Sequence, residues 1–155
     1  MILLSVEYDY HAHIMPKTLD ILKKAGWFEG RKKDISSLIN KYKKEGIELS
    51  KSQISFMQEF GGIKGKNTND EEFEICIDPK YSIFKKRIPL SKSDLKSYNP
   101  LNVVGNKENV DFLLAGFMGN NMINFWISTD GRLFADQGIQ MGRTIMEGWQ
   151  KIVLD

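Results

Sequence analysis

The sequence predicts an α+β fold in which helices come first and strands follow. Apolar residues recur at helical spacing in three capped or glycine-ended segments before Gly62, and period-two alternation with an Asp-Gly hairpin signal takes over after it. A length of 155 residues suits one domain over residues 1–155 with one core. Such a chain buries about 68–70% of the surface its unfolded form exposes.

The first helix starts at Pro16, whose fixed φ suits a first turn, and carries Leu19, Leu22 and Ala25 until Gly26 stops it. Asp34 is the expected N-cap of the second, where Ile35, Leu38, Ile39 and Tyr42 follow an i, i+3, i+4, i+7 pattern and Gly46 takes the C′ position. Ser50 caps the third, with Ile54, Met57 and Phe60 facing inward and Gly61-Gly62 ending it. Lys64 to Asp70 reads as a polar turn region. Phe73, Ile75 and Ile77 then alternate with Glu74, Cys76 and Asp78 as a half-buried strand closed by Asp78-Pro79. Ser91-Lys92-Ser93-Asp94 resembles a capping-box start to a short helical turn that Asn99-Pro100 ends. Asn124 to Ser128 and Arg132 to Ala135 flank Thr129-Asp130-Gly131, a hairpin signal. Ile145, Trp149 and Ile152 predict a closing helix.

Composition narrows the functional classes. An apolar fraction of 41% with 3 Trp, 5 Tyr and 9 Phe is that of a chain that folds unaided. Its 22 Lys and Arg against 20 Asp and Glu give a net charge of +2. That surplus is too small for a surface built to neutralise a row of nucleic-acid phosphates. Cys76 is the one cysteine, which excludes an internal disulfide and fits a reducing compartment. Residues 1–6 are mostly apolar but meet Glu7 and Asp9 without a basic region, so no signal peptide is expected. No segment approaches the ~20 apolar residues of a membrane span. The expected location is cytoplasmic.

Few residues invite chemistry. His11 and His13 form a His-x-His pair that could present two imidazoles to a metal, the basis for a small hydrolase or metal-dependent enzyme as an alternative. A stable site needs three or four converging ligands and none accompanies them in sequence, so the pair reads as structural or incidental. Cys76, with no His nearby, reads as packing. Gly61-Gly62-Ile63-Lys64-Gly65-Lys66 follows a helix and lacks a Ser or Thr after its lysine, which excludes a phosphate-cradling loop. Arg31-Lys32-Lys33 and Lys85-Lys86-Arg87 read as solvated surface, able to meet an acidic patch on a partner.

Gly26-Trp27-Phe28-Glu29-Gly30-Arg31 is the most distinctive string. Its glycines permit a tight path, its aromatics can each bury about 150–250 Å², and Glu29 and Arg31 can tie the loop to neighbouring helices by charge-assisted bonds. The reading favoured is a core-anchoring corner between the first two helices; the other is an exposed Trp27 anchoring an interface.

This hexapeptide, the capped helix Asp34 to Glu45, the block Phe56-Met57-Gln58-Glu59-Phe60-Gly61-Gly62, the strand ending Ile77-Asp78-Pro79 and the Asp130-Gly131-Arg132 hairpin occur in an order that resembles the SUKH superfamily, specifically its SUKH-3-type immunity proteins. The resemblance runs from about Leu19 to the last helix. It implies one α+β domain with a mainly antiparallel sheet flanked by helices, and a part in bacterial polymorphic toxin systems. It further implies a non-enzymatic antidote that needs no cofactor or metal and binds a cognate toxin directly, such as a nuclease or a deaminase. Neither nucleic acid nor membrane is an expected partner. Near-neutral charge argues against phosphate mimicry. Blocking by shape and mixed charge is the expected mode, through the acidic stretch Asp70, Glu71, Glu72 and Glu74. The alternative under the same resemblance is a scaffolding module that regulates a cellular factor unrelated to a toxin.

Overall fold

A computed structural model describes residues 14–77, 82–83, 86–87, 95–96, 98–105, 110–119 and 123–154. Helix α1 (Pro16–Lys24) has its proline in the first turn, and Gly26 follows it at φ 109°. Helix α2 (Ser36–Lys44) begins later than expected, because Ile35 and not Asp34 holds the N-cap position. Asp34 forms a turn just before it, its Oδ1 accepting from the Ser36 N–H at 2.9 Å and the Ser36 hydroxyl at 2.6 Å. Ile35 is 3% exposed, so burial of its side chain sets the start of the helix where a polar cap cannot sit. Helix α3 (Lys51–Phe60) starts at Ser50 with a reciprocal capping box to Gln53. Its inward face carries Gln53, Phe56, Met57 and Phe60, whereas Ile54, expected inside, is only half-buried. Ile54 still packs against the core, and Gln53 joins the inward face because its Nε2 donates to the Ile127 carbonyl at 3.1 Å, so a polar side chain is buried with its hydrogen bond made.

Six antiparallel strands form the main sheet in the order β1-β2-β5-β6-β7-β8. These are β1 (Lys64–Lys66), β2 (Glu72–Ile75), β5 (Phe112–Met118), β6 (Ile123–Ser128), β7 (Leu133–Ala135) and β8 (Ile139–Gln140). Strands β3 (Ser82–Ile83) and β4 (Lys86–Arg87) pair separately. Three departures from the sequence reading stand out. Residues 64–66 are strand and not turn, held by pairing with residues 72–74. Strand β2 stops at Ile75, although Cys76 adds one bond to the Ala115 carbonyl at 2.8 Å. Strands β5 and β8 carry no sequence expectation at all. The expected hairpin is present as β6 and β7, and the expected last helix as α4 (Ile145–Leu154). Asp78-Pro79 and Ser91 to Asp94 lie outside the described residues.

Residues paired across antiparallel strands project to one face. Phe73, Met118 and Ile123 therefore share a face, with Ile75, Gly116 and Phe125 beside them. Helix α4 covers this face, where the Trp149 ring lies 5.6 Å from Phe73 and 5.3 Å from Phe60. Trp126 and Phe134 point the other way. There Phe134 meets Phe112 edge-on at 5.0 Å, and a 3-10 turn at Pro100–Val104 packs on the turn Asp136–Gly138.

Between β6 and β7, the Asp130 carboxylate accepts from the Ser128 hydroxyl and from Arg132 Nε at 3.0 and 3.1 Å. The Ser128 bond, with Arg132 assisting against a small burial penalty, holds the Asp130 pKa below its ordinary value. A carboxylate depressed on folding stabilises the fold above its unfolded pKa and loses that contribution as pH falls through the folded value. Thermal melts between neutral pH and about pH 2 are expected to show Asp130→Asn less stable than wild type at neutrality, with the gap closing below about pH 4. A constant gap across that range would contradict this account.

Candidate functional site

Two surfaces gather the residues singled out in the sequence. The first is the corner between α1 and α2. Gly26 and Gly30 take φ values of 109° and 81°, and a Cβ at either would meet open space. Glycine is thus required there by backbone path alone. The chain turns so that the two adjacent aromatics part company. Trp27 is 5% exposed, whereas Phe28 is 58% exposed. Burial of Trp27 agrees with the favoured core-anchoring corner and excludes the alternative of an exposed Trp27 anchor. Its indole Nε1 donates to Glu59 Oε2 at 2.9 Å, so the polar end of the ring is satisfied within a largely apolar site.

Arg31 fixes the other end of the corner. Its Nη1 and Nη2 donate to the carbonyls of Glu59 and Gly61, both at 2.7 Å. These carbonyls belong to the last turn and cap of α3, where helix geometry leaves acceptors unused. Burial lowers the Arg31 pKa, the Glu59 charge opposing it, and a guanidinium stays cationic under such a shift. The Lys33 N–H donates to the Gln58 carbonyl at 2.7 Å. The Glu-Phe-Gly-Gly block (Glu59, Phe60, Gly61, Gly62) and the hexapeptide are therefore two halves of one joint. Glu29 lies exposed at its surface. Beside the joint opens a cavity of about 630 Å³ lined by Trp27, Arg31, Phe56, Gln58, Glu59 and Met146, among others.

The second surface is the β1–β2 hairpin. Asp70, Glu71 and Glu72 are exposed and Glu74 half-buried. Cross-strand register puts Lys66 opposite Glu72 and Lys64 opposite Glu74, and Lys66 Nζ lies 3.4 Å from Asp70 Oδ1. The acidic stretch is thus one half of a mixed-charge hairpin. Buried Asn67 anchors its turn: Oδ1 accepts from the N–H groups of Asn69 and Glu71, and Nδ2 donates to the Ile152 carbonyl of α4. The two surfaces adjoin, since the Lys64 N–H donates to the Ala25 carbonyl at 3.1 Å. Sequence reasoning missed this continuity; β1 has no apolar pattern to reveal it.

Cys76 is buried, its thiol 3.7 Å from Glu74 Oε2, in line with packing. His11 and His13 lie outside the described residues. Among the described residues no group of three or more His, Cys, Asp or Glu could hold a metal ion, and no helix is long and apolar enough to cross a membrane.

The family model described as SUKH-3 immunity protein matches residues 14–155. Comparison with curated proteins and with solved structures finds no match.

Proposed function

The chain belongs to the SUKH-3 immunity protein family, and we propose on that footing that it neutralises a cognate bacterial polymorphic toxin by direct, stoichiometric binding in the cytoplasm of the producing cell. The family match over residues 14–155 is the observation that carries this reading. The exposed charged hairpin supports it, since charges met by complementary ones across an interface favour register and partner choice over bulk affinity. Asp70, Glu71, Glu72 and Glu74 are the charged contacts proposed for the toxin. The mode is occlusion, without catalysis, cofactor or metal, and the toxin is a nuclease or a deaminase. Neither nucleic acid nor membrane takes part.

Co-expression tests it. A toxin domain encoded by the adjacent reading frame is expected to arrest growth alone, to be harmless beside this chain, and to co-purify with it in equimolar amounts. Growth arrest that persists despite a soluble, folded chain defeats the proposal.

A further inference from the structure

We propose that Phe28 is the anchor by which this chain docks its toxin, and that the toxin receives it in an apolar pocket with an acidic rim. The inference rests on the immunity reading above and adds an apolar contact on the corner that adjoins the hairpin, with the chemistry of the partner's surface there.

Four observations converge on Phe28. Among the described residues the exposed large hydrophobics are Met15, Phe28, Ile123 and Ile139, and Phe28 is the one aromatic and the most exposed of them at 58%. Its mounting is rigid. The buried Trp27 precedes it, Arg31 N–H closes a turn on the Phe28 carbonyl at 3.1 Å, and the Arg31 guanidinium clamps that turn to the end of α3. A side chain displayed on a fixed backbone loses little freedom when it is captured, which is how preorganised anchors gain affinity. The same joint therefore explains why two aromatics stand side by side: Trp27 holds and Phe28 reaches.

The third observation is the cavity of about 630 Å³ beside the corner. A convex aromatic next to a concave site lets a partner both surround Phe28 and insert a side chain of its own. Charge is the fourth. Lys23, Lys24, Lys32 and Lys33 are all exposed, and Glu29 is the one carboxylate between residues 23 and 33. With Arg31, residues 23–33 thus hold five basic side chains against one acidic one, which calls for an acidic rim on the partner. A lone aromatic with a concave neighbour fits a protein pocket better than single-stranded nucleic acid, which uses successive stacking platforms.

The test uses the full chain and the purified toxin domain encoded by the adjacent reading frame. Phe28→Ala is expected to melt like wild type yet to bind at least about 30-fold more weakly, as loss of an interface hot spot does. The double variant Lys32→Glu, Lys33→Glu is expected to slow association by about tenfold at low salt and much less at high salt. Binding by Phe28→Ala within about threefold of wild type overturns the proposal while leaving the immunity reading intact, and a loss confined to Glu71→Lys, Glu72→Lys does the same in favour of the hairpin. Capture of a single-stranded oligonucleotide that depends on Phe28 also overturns it. If wild type itself fails to bind the toxin domain, the immunity reading falls and this inference falls with it.

Discussion

Gly116→Ala is expected to cost at least ~3 kcal/mol, the upper end for forcing extra volume into a packed site, and to separate β2 from β5. The reason lies in what a Cβ would strike. It would come within 2.0 Å of the Glu74 carbonyl oxygen and 3.0 Å of both the Glu74 carbonyl carbon and Ile75 Cα. All three are backbone atoms of the neighbouring strand, which a rotamer change cannot move. Gly116 also sits where the β5–β6 register shifts past Ala115, opposite Ile75 of β2. Gly65→Ala is the informative control. Its Cβ would meet Ala25 Cβ and Phe73 Cζ at 2.9 Å, a milder overlap than the 2.0 Å approach to a carbonyl oxygen at Gly116, so a smaller loss is expected. Urea midpoints of both variants measure the difference, and equal midpoints would overturn the backbone-clash account. Because β2 carries Glu72 and Glu74, the same variant is expected to disorder the hairpin surface proposed for the toxin.

The strand that houses Gly116 is the one the sequence concealed. Residues 112–117 of β5 are buried along their whole run, because helices cover one face and the 3-10 segment and its surroundings approach the other. A strand buried on both sides has no polar face, so its residues lack the alternation by which β2 was found. The edges were hidden for the opposite reason. Lys64–Lys66 and Ile139–Gln140 are mostly exposed and owe their strand state to pairing with the neighbouring strand, not to an apolar pattern of their own. Helices were legible because their signals are local: Pro16 in a first turn, Ser50 as a cap, Gly46 after α2. Even so, Asp34 was displaced from its cap by the burial of Ile35, a tertiary preference that overrides a local one.

The corner was half legible for related reasons. Gly26 and Gly30 announce a backbone that needs positive φ, and an Arg near a helix terminus suggests an anchor. Which aromatic of an adjacent pair turns inward depends on α3, whose Glu59 lies 32 residues from Trp27. Nothing local to the hexapeptide encodes that partner. Arg31 likewise stands 28 and 30 residues from the carbonyls it bridges, so the joint between the hexapeptide and the Glu-Phe-Gly-Gly block exists only in three dimensions.

Trp27→Ala follows from that joint as the second large effect. With 5% of its surface exposed, removal of the indole is expected to cost about 3–5 kcal/mol, the range for deleting a buried Trp or Phe ring. Part of that loss is polar, since the bond from Nε1 to Glu59 at 2.9 Å disappears. Trp27→Phe separates the contributions: it keeps most of the apolar volume, forfeits the hydrogen bond, and is expected to cost about 1–3 kcal/mol. Phe28→Ala, one residue on, is expected to stay within about 0.5 kcal/mol of wild type, as exposed substitutions do. Denaturant titration of the three variants reads the contrast directly. A Trp27→Ala protein as stable as wild type would mean that the indole is no part of the core, and the rigid mounting argued for Phe28 would lose its support. A large loss at Trp27 beside a negligible one at Phe28 would instead separate holding from reaching within one motif, and would leave the toxin-binding measurement on Phe28→Ala uncontaminated by unfolding.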